Sequence, residues 1–220
     1  MYTHFDEVAV KLMLGAESGD SIRRIAQKID EPYETVRQKV KDLEEKDILK
    51  IENGVHVIAP EIVKSIYQLA IAGSKYFPLS IEDVYVLPHF ADHFFAFTRI
   101  DAAYIWTRGG YQVARSPDDY AIFIRVDSCI EYWINFFADF GISAYEKRRP
   151  VEDIEGDIQV VIEKGELSDI EWIEGKPVIP LEETVGYMQE NSVHFQPALD
   201  MIDEMYQDAD KKISYTSGGT

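Results

Sequence analysis

The segment of residues 21–58 limits most narrowly what this chain can fold into. Residues 21–29 predict a short helix because their apolar side chains recur at helical spacing, and residues 30–32 end it. Pro32 suits the first position of another helix, which is expected over residues 33–46. The side chains expected in the core are Ile22, Ile25, Ala26 and Ile29 from the first helix, and Val36, Val40 and Leu43 from the second.

A β-hairpin is predicted directly after these two helices. Two apolar runs, residues 48–51 and 55–58, flank Glu52, Asn53 and Gly54. Asn-Gly between apolar runs is the strongest local signal for a hairpin, because both turn residues must adopt positive φ. A helix-turn-helix followed by a hairpin is the arrangement of a winged helix, a fold that places its second helix in the major groove of DNA.

The charge of the chain is unusual for a nucleic-acid binder, because such proteins are usually basic. The chain carries 22 Lys and Arg against 40 Asp and Glu, a net charge of −18. Residues 1–60 hold nine basic and twelve acidic residues, so they carry −3 of this charge. Residues 21–41 hold six basic residues against three acidic ones. We therefore expect a mildly basic surface on an acidic protein, and such acidity suits solubility in the high salt of a haloarchaeal cell.

Length and composition narrow the class further. A chain of 220 residues can form one large or two small domains. No apolar run approaches the roughly 18 residues of a membrane span, and the polar, acidic N-terminus is unlike a signal peptide. Cys129 has no second cysteine with which to form a disulfide or a zinc site. We expect a cytoplasmic protein with no membrane contact and no cofactor.

The remaining pattern predicts an α+β protein with an N-terminal winged helix-turn-helix domain, a linker helix and a C-terminal mixed α/β domain. The expected divisions are residues 1–60 for the winged helix, 61–80 for the linker, 81–206 for the α+β domain and 207–220 for a disordered tail. The helix over residues 61–75 could equally be a core helix of the second domain. Beyond the hairpin, strands are predicted at residues 84–87, 94–99, 104–107, 111–114, 120–126, 143–146, 158–162 and 170–173, and helices at 130–140, 181–190 and 193–206.

The second helix of the pair carries the candidate reading residues. With its apolar stripe buried, its opposite face offers Tyr33, Thr35, Arg37, Gln38 and Lys41. Arg pairs with guanine, Gln with adenine, and Thr meets the thymine methyl. The candidate phosphate contacts are Lys28, Lys39, Lys41 and Lys50. The alternative is that the same fold serves as a protein-interaction module.

Residues 21–29 and 32–40 resemble the winged helix-turn-helix heads of archaeal and bacterial transcriptional regulators. In that family Ala26 would pack the turn, and Thr35, Val36 and Arg37 would open the reading helix. The resemblance implies a sequence-specific regulator that binds double-stranded DNA as a homodimer. Its second domain would respond to a small-molecule effector or a partner protein.

A second resemblance lies in residues 178–185, Val-Ile-Pro-Leu-Glu-Glu-Thr-Val. This run looks like the strand, Pro-Glu-x-Thr and helix of AbiEi-type abortive-infection antitoxins. That family implies a protein that represses its own promoter and neutralises a nucleotidyltransferase toxin. The Asp that the family carries soon after the Thr is missing, since residues 186–188 are Gly, Tyr and Met.

Catalytic patterns are weaker than these. His89 and His93 are four residues apart, as in zinc sites, but no third ligand is evident, and a structural role is favoured. Gly109-Gly110 followed by Asp118-Asp119 suggests a nucleotidyltransferase, yet two-metal chemistry needs carboxylates on one side of a strand, and adjacent residues point to opposite sides. Cys129 has no evident base nearby. We therefore expect no enzymatic activity.

Aromatic residues are frequent, with three Trp, thirteen Tyr and eleven Phe. The three tryptophans, Trp106, Trp133 and Trp172, lie outside the predicted winged helix. At their spacings they are expected mainly in the core. The alternative is that they line a pocket for an apolar effector.

Overall fold

A computed structural model describes residues 5–111, 120–147 and 158–206, and the chain is a mixed α+β protein. We call residues 5–59 the head and residues 81–206 the body. The head contains helices α1 Glu7–Gly15, α2 Ile22–Lys28 and α3 Tyr33–Glu44, and strands β1 Leu49–Ile51 and β2 Val55–Val57. Helix α4, Pro60–Ser74, connects the head to the body.

The head follows the order that the sequence predicts, a helix over residues 5–15, then the two helices and the hairpin of residues 21–58, because local signals specify each element. The side chain of Asp6 caps α1 by accepting from Ala9 N at 3.0 Å, and Ser21 caps α2 by accepting from Arg24 N at 3.1 Å. Pro32 directly precedes α3 instead of opening it. The hairpin between β1 and β2 is confirmed, and Asn53 and Gly54 have φ of +56° and +134° as the Asn-Gly signal requires.

The hairpin also pairs with the segment that precedes α2. Asp20 and Val55 form an isolated antiparallel bridge, in which Val55 N donates to Asp20 O at 2.8 Å and Gly19 N donates to Val55 O at 3.0 Å. Under the hairpin, α1, α2 and α3 enclose a core to which Leu12, Ile25 and Val40 contribute. The hairpin is therefore held against the helices at its base.

Helix α4 contributes to two hydrophobic cores. Ile66 is buried in the head core, while Tyr67 and Ala70 pack against the body core. Phe90 packs against both cores. Head and body therefore share apolar contacts through α4 and Phe90.

The body is built around one mixed sheet. Its strands are β3 Ala96–Phe97, β4 Tyr120–Val126, β5 Ser143–Glu146, β6 Ile158–Lys164, β7 Glu171–Ile173 and β8 Lys176–Val178. Within the described residues the strand order is β5-β6-β4-β3-β8-β7, with β5, β6 and β4 parallel and with β3 antiparallel to β4 but parallel to β8. The helices of the body are α5 Ile81–Val86, α6 Arg99–Trp106, α7 Ile130–Asp139, α8 Leu181–Glu190 and α9 Ser192–Tyr206, with a 3₁₀ turn at Leu87–Phe90.

The first part of the body differs from the prediction. The strands predicted at residues 84–87 and 104–107 are wrong, because those residues lie in α5 with its 3₁₀ turn and at the end of α6. Of the strand predicted at 94–99, two residues form β3. Three of the six residues of α5 and five of the eight residues of α6 are buried, and they are neighbours in sequence, so they show no helical period.

Other predictions in the body have mixed outcomes. Three predicted helices and four predicted strands are confirmed within one or two residues at each end. They are the helices at 130–140, 181–190 and 193–206 and the strands at 120–126, 143–146, 158–162 and 170–173. Strand β8 was not predicted. Gly109-Gly110, which the sequence also predicts as a hairpin turn between the strands at 104–107 and 111–114, instead follows α6. Three further predictions concern residues outside the described part of the chain. They are residues 112–114 of the strand predicted at 111–114, the pair Asp118 and Asp119, and the tail 207–220. No helix in the described part of the chain is long and apolar enough to span a membrane.

Candidate nucleic-acid interface

Helix α3 presents one face to the core of the head and the opposite face to solvent. Val36, Val40 and Leu43 are buried against the rest of the head. Since the helical period is 3.6 residues, Gln38 and Lys41 lie on the opposite side, and both are exposed. The buried stripe therefore fixes which polar groups of α3 face outwards.

The outward groups of α3 form local hydrogen bonds and ion pairs. Arg37 is half-buried and pairs with Glu34, with 3.2 Å between Nη1 and Oε2. Gln38 Nε2 donates to Asp42 at 2.9 Å. Tyr33 is 46% exposed at the start of the helix, and Thr35 is exposed. The carboxylates on this face offset its basic residues, so α3 itself carries no net positive charge over Tyr33–Glu44.

The lysines predicted to contact phosphates lie in different environments. Lys41 is exposed, and Lys50 is exposed but pairs with Glu52 in the hairpin. Lys39 is largely covered and pairs with Asp6 at 2.7 Å. The expectation for Lys28 is wrong, because its side chain is 0% exposed and cannot reach a phosphate without unfolding its surroundings.

Lys28 instead belongs to an ionic cluster between α2 and the segment that precedes this helix. Its ammonium lies 2.8 Å from Asp20 and 3.0 Å from Glu17. Arg24 Nε lies 3.2 Å from the other oxygen of Asp20. A buried ammonium needs such partners because desolvation of an isolated charge is costly. The cluster ties α2 to the segment that pairs with the hairpin.

The hairpin of β7 and β8 in the body docks against α2. The guanidinium carbon of Arg24 lies 4.2 Å from the centre of the Trp172 ring, a cation–π contact. At the turn, Gly175 approaches so closely that a Cβ there would lie 2.3 Å from the carbonyl carbon of Gln27. Glu174, beside it, shares a surface cleft with Tyr33 at the start of α3. An acidic group of the body therefore borders the candidate reading helix.

A cavity of about 530 Å³ lies between the head and this part of the body. Arg24 lines it from α2, and His89 and Trp172 line it from the body. His89 is buried, and burial together with nearby cationic side chains lowers its pKa to about 3. The imidazole is therefore neutral at physiological pH.

The metal and nucleophile candidates are placed apart from one another. Among the described residues, no group of three or more His, Cys, Asp or Glu side chains is arranged to hold a metal ion. His89 lies in the cavity wall, whereas His93 packs on the ring of Tyr132, with 4.2 Å between ring centres. Cys129 is exposed at the start of α7, with a left-handed backbone conformation.

Two features of this region were not predicted from the sequence. Asp20 precedes α2 and Lys28 is the last residue of that helix. The presence of an acidic and a basic residue only eight positions apart was therefore a local signal for their pairing. The contact between Arg24 and Trp172 has no such signal, since it joins distant parts of the chain.

Searches against models of protein families, curated proteins and solved structures found no match to this chain.

Proposed function

We propose that this protein is a sequence-specific DNA-binding transcriptional regulator whose head is a winged helix-turn-helix unit. The observation that carries the proposal is the outward face of α3, where Arg37, Gln38 and Lys41 project from a helix seated on α2 and followed by a hairpin. Side chains near the start of such a helix reach base edges in the major groove. Arg37 would read guanine, and Gln38 would read adenine.

The electrostatics of the head favour binding through a few placed contacts. Lys28 is enclosed, and Arg24, although exposed, is engaged by Asp20 and by the ring of Trp172, whereas Arg23, Arg37 and Lys41 are accessible cations near the reading face. Each phosphate contact contributes to the salt dependence of affinity. We therefore expect a shallow salt dependence, and specificity that rests on base contacts.

Two copies of the chain would supply the remaining affinity. Helix α4 has an exposed face in which Leu69 is 66% exposed and Tyr76, just beyond the helix, is 81% exposed. Glu61 and Lys75 are exposed near the two ends of the helix. When two such helices pair antiparallel about a two-fold axis, the end with Glu61 in each copy lies near the end with Lys75 in the other, which favours the pairing. A dimer presents two reading helices to a two-fold symmetric operator.

The test is binding of the full chain to a duplex selected from a random pool. Arg37→Ala is expected to weaken binding by about 1–3 kcal/mol and to relax the preference at one base position. Lys164→Ala, which removes an exposed positive charge from the body, is the matched control and should leave affinity unchanged. If no duplex is enriched over the random pool, or if the two variants bind equally, the proposal is wrong.

The antitoxin resemblance stays a prediction. Residues 178–185 run from the end of β8 through Pro180 into α8, as the strand–Pro–helix pattern requires. Such a connection is common in α/β folds and identifies no partner. Co-purification with a nucleotidyltransferase encoded next to this gene would support that function over a small-molecule sensor.

A further inference from the structure

The β7–β8 hairpin of the body packs on the head next to the start of the candidate reading helix. Its turn consists of Glu174 and Gly175, of which Gly175 is buried. A Cβ at Gly175 would lie 2.3 Å from the carbonyl carbon of Gln27 and 2.5 Å from its carbonyl oxygen. The backbones of the hairpin and of α2 are therefore in direct contact at the last turn of α2, just before the chain enters α3.

The hairpin adds a negative charge to the surface cleft at the start of α3. Glu174 lines this cleft together with Arg23 of α2 and Tyr33, the first residue of α3. The other charged side chains of its lining are Asp30 and Glu31, so the cleft has no excess of positive charge even before Glu174 is counted. The body therefore makes the surroundings of Tyr33 more negative.

The same hairpin engages an exposed cation of α2. The guanidinium carbon of Arg24 lies 4.2 Å from the centre of the Trp172 ring, and Nε of Arg24 lies 3.2 Å from Asp20. A guanidinium has several further N–H donors, so the pair with Asp20 alone would leave donors for a phosphate group. The attraction between Arg24 and the ring of Trp172 competes with any such contact.

We propose that the β7–β8 hairpin is an autoinhibitory element that lowers the affinity of the head for DNA while it is seated on α2, an inference that rests on the proposed function. In helix-turn-helix complexes, the start of the reading helix meets the base edges and the preceding helix crosses the phosphate backbone. Glu174 places a negative charge beside the first of these contacts, and Trp172 holds Arg24 back from the second. A signal that lifts the hairpin from α2 removes both effects and raises the affinity.

The affinity of the full chain for the selected duplex tests the charge of Glu174. Glu174→Gln keeps the length of the side chain but removes its charge, so binding should be about threefold tighter at low salt. Glu190→Gln, an exposed change on α8 outside this cleft, is the matched control and should bind like the wild type. If the wild type binds and Glu174→Gln binds no more tightly than Glu190→Gln, this proposal is overturned and the proposed function stands. If none of the three proteins enriches a duplex, both are wrong.

The salt dependence of the same binding tests the hold on Arg24. Trp172→Leu keeps an apolar side chain at this 41% exposed position but removes the ring, so Arg24 becomes available to a phosphate. The affinity should rise, and the slope of log K against log salt concentration should become steeper by about 1, the value for one added phosphate contact. Trp172→Leu combined with Arg24→Ala should return the slope to the wild-type value. An unchanged slope in Trp172→Leu, or a steeper slope that persists without Arg24, overturns the role of Trp172.

Discussion

The guanidinium of Arg24 lies over the ring of Trp172, with its central carbon 4.2 Å from the ring centre. This contact fastens helix α2 of the head to the β7–β8 hairpin of the body, and Gly175 completes the junction against Gln27. The body therefore contacts the head through α2, the helix directly before the candidate reading helix α3.

Gly175→Ala tests whether this junction needs the close approach of the hairpin. The left-handed conformation of a non-glycine residue costs about 1–2 kcal/mol, and the overlap with Gln27 should add about 1–3 kcal/mol. Gly175 has φ of +81°. We expect a lower free energy of unfolding in urea and faster hydrogen exchange in α2.

Gly141→Ala is the matched control for this prediction. Gly141 has φ of +76°, but a Cβ there would meet nothing within 4 Å. Gly141→Ala should therefore lower the free energy of unfolding only by the cost of the left-handed conformation, with no contribution from steric overlap. Equal losses in the two variants would mean that contact with Gln27 contributes nothing.

Asp20→Asn tests the buried ionic cluster. The change removes the charge that faces Lys28 at 2.8 Å, while Lys28 stays fully enclosed. Breaking a buried pair from one side costs about 3–5 kcal/mol. We expect a loss of about 3 kcal/mol in the free energy of unfolding, measured by chemical denaturation, because Glu17 still offers one carboxylate.

Glu52→Gln breaks a surface pair of the same head for comparison. Its partner Lys50 and Glu52 itself are both more than half exposed. Such pairs contribute about 0–1 kcal/mol, so stability should barely change. A small effect of Asp20→Asn, similar to that of Glu52→Gln, would show that Lys28 is not held as the structure places it.

The buried imidazole of His89 should make stability depend on pH. Burial and the nearby cations lower its pKa from 6.5 to about 3, so the folded protein keeps it neutral while the unfolded chain takes up a proton below pH 6.5. This contribution is fully present above pH 6.5 and is lost as the pH falls towards 3. It amounts to about 2 kcal/mol between pH 7 and pH 5.

The measurement compares the wild type with His89→Phe, which cannot take up the proton. Urea denaturation of both proteins at pH 7, 6 and 5 gives the difference in free energy of unfolding at each pH. The wild type should lose stability relative to the variant as the pH falls. A difference that stays constant with pH would mean that His89 is not kept neutral by folding.

Leu69→Glu tests the exposed face of α4 as the dimer contact. Because Leu69 is 66% exposed in one copy, the change should leave the fold intact while placing two like charges near the two-fold axis. Sedimentation velocity should show a dimer for the wild type and a monomer for the variant. Met205→Glu, at an exposed apolar position on α9, should stay dimeric, and a monomeric wild type would contradict the expected pairing.

The head could be predicted because its signals are local. Each helix has an apolar stripe, and Asn53-Gly54 marks the hairpin by the conformations that only such residues adopt easily. In the body, Ser80 and Asp83 form a capping box that starts α5, a signal that could have replaced the strand prediction there.

The site was harder to predict because its contacts join distant parts of the chain. Asp20 and Glu17 are near Lys28 in sequence, but the sequence alone does not show that packing encloses the lysine between their carboxylates. Trp172 was expected mainly in the core, yet it is 41% exposed and carries Arg24 on its face. Both outcomes depend on how the body packs against α2.

Asp20 gives this packing a mechanical consequence. Its backbone pairs with Val55 of the hairpin, and its carboxylate holds both Arg24 and Lys28. A displacement of Trp172 that moved Arg24 would pull on the same residue that anchors the edge of the hairpin. Asp20 is therefore the residue through which the β7–β8 hairpin of the body, by way of Arg24, is connected to the β1–β2 hairpin of the head.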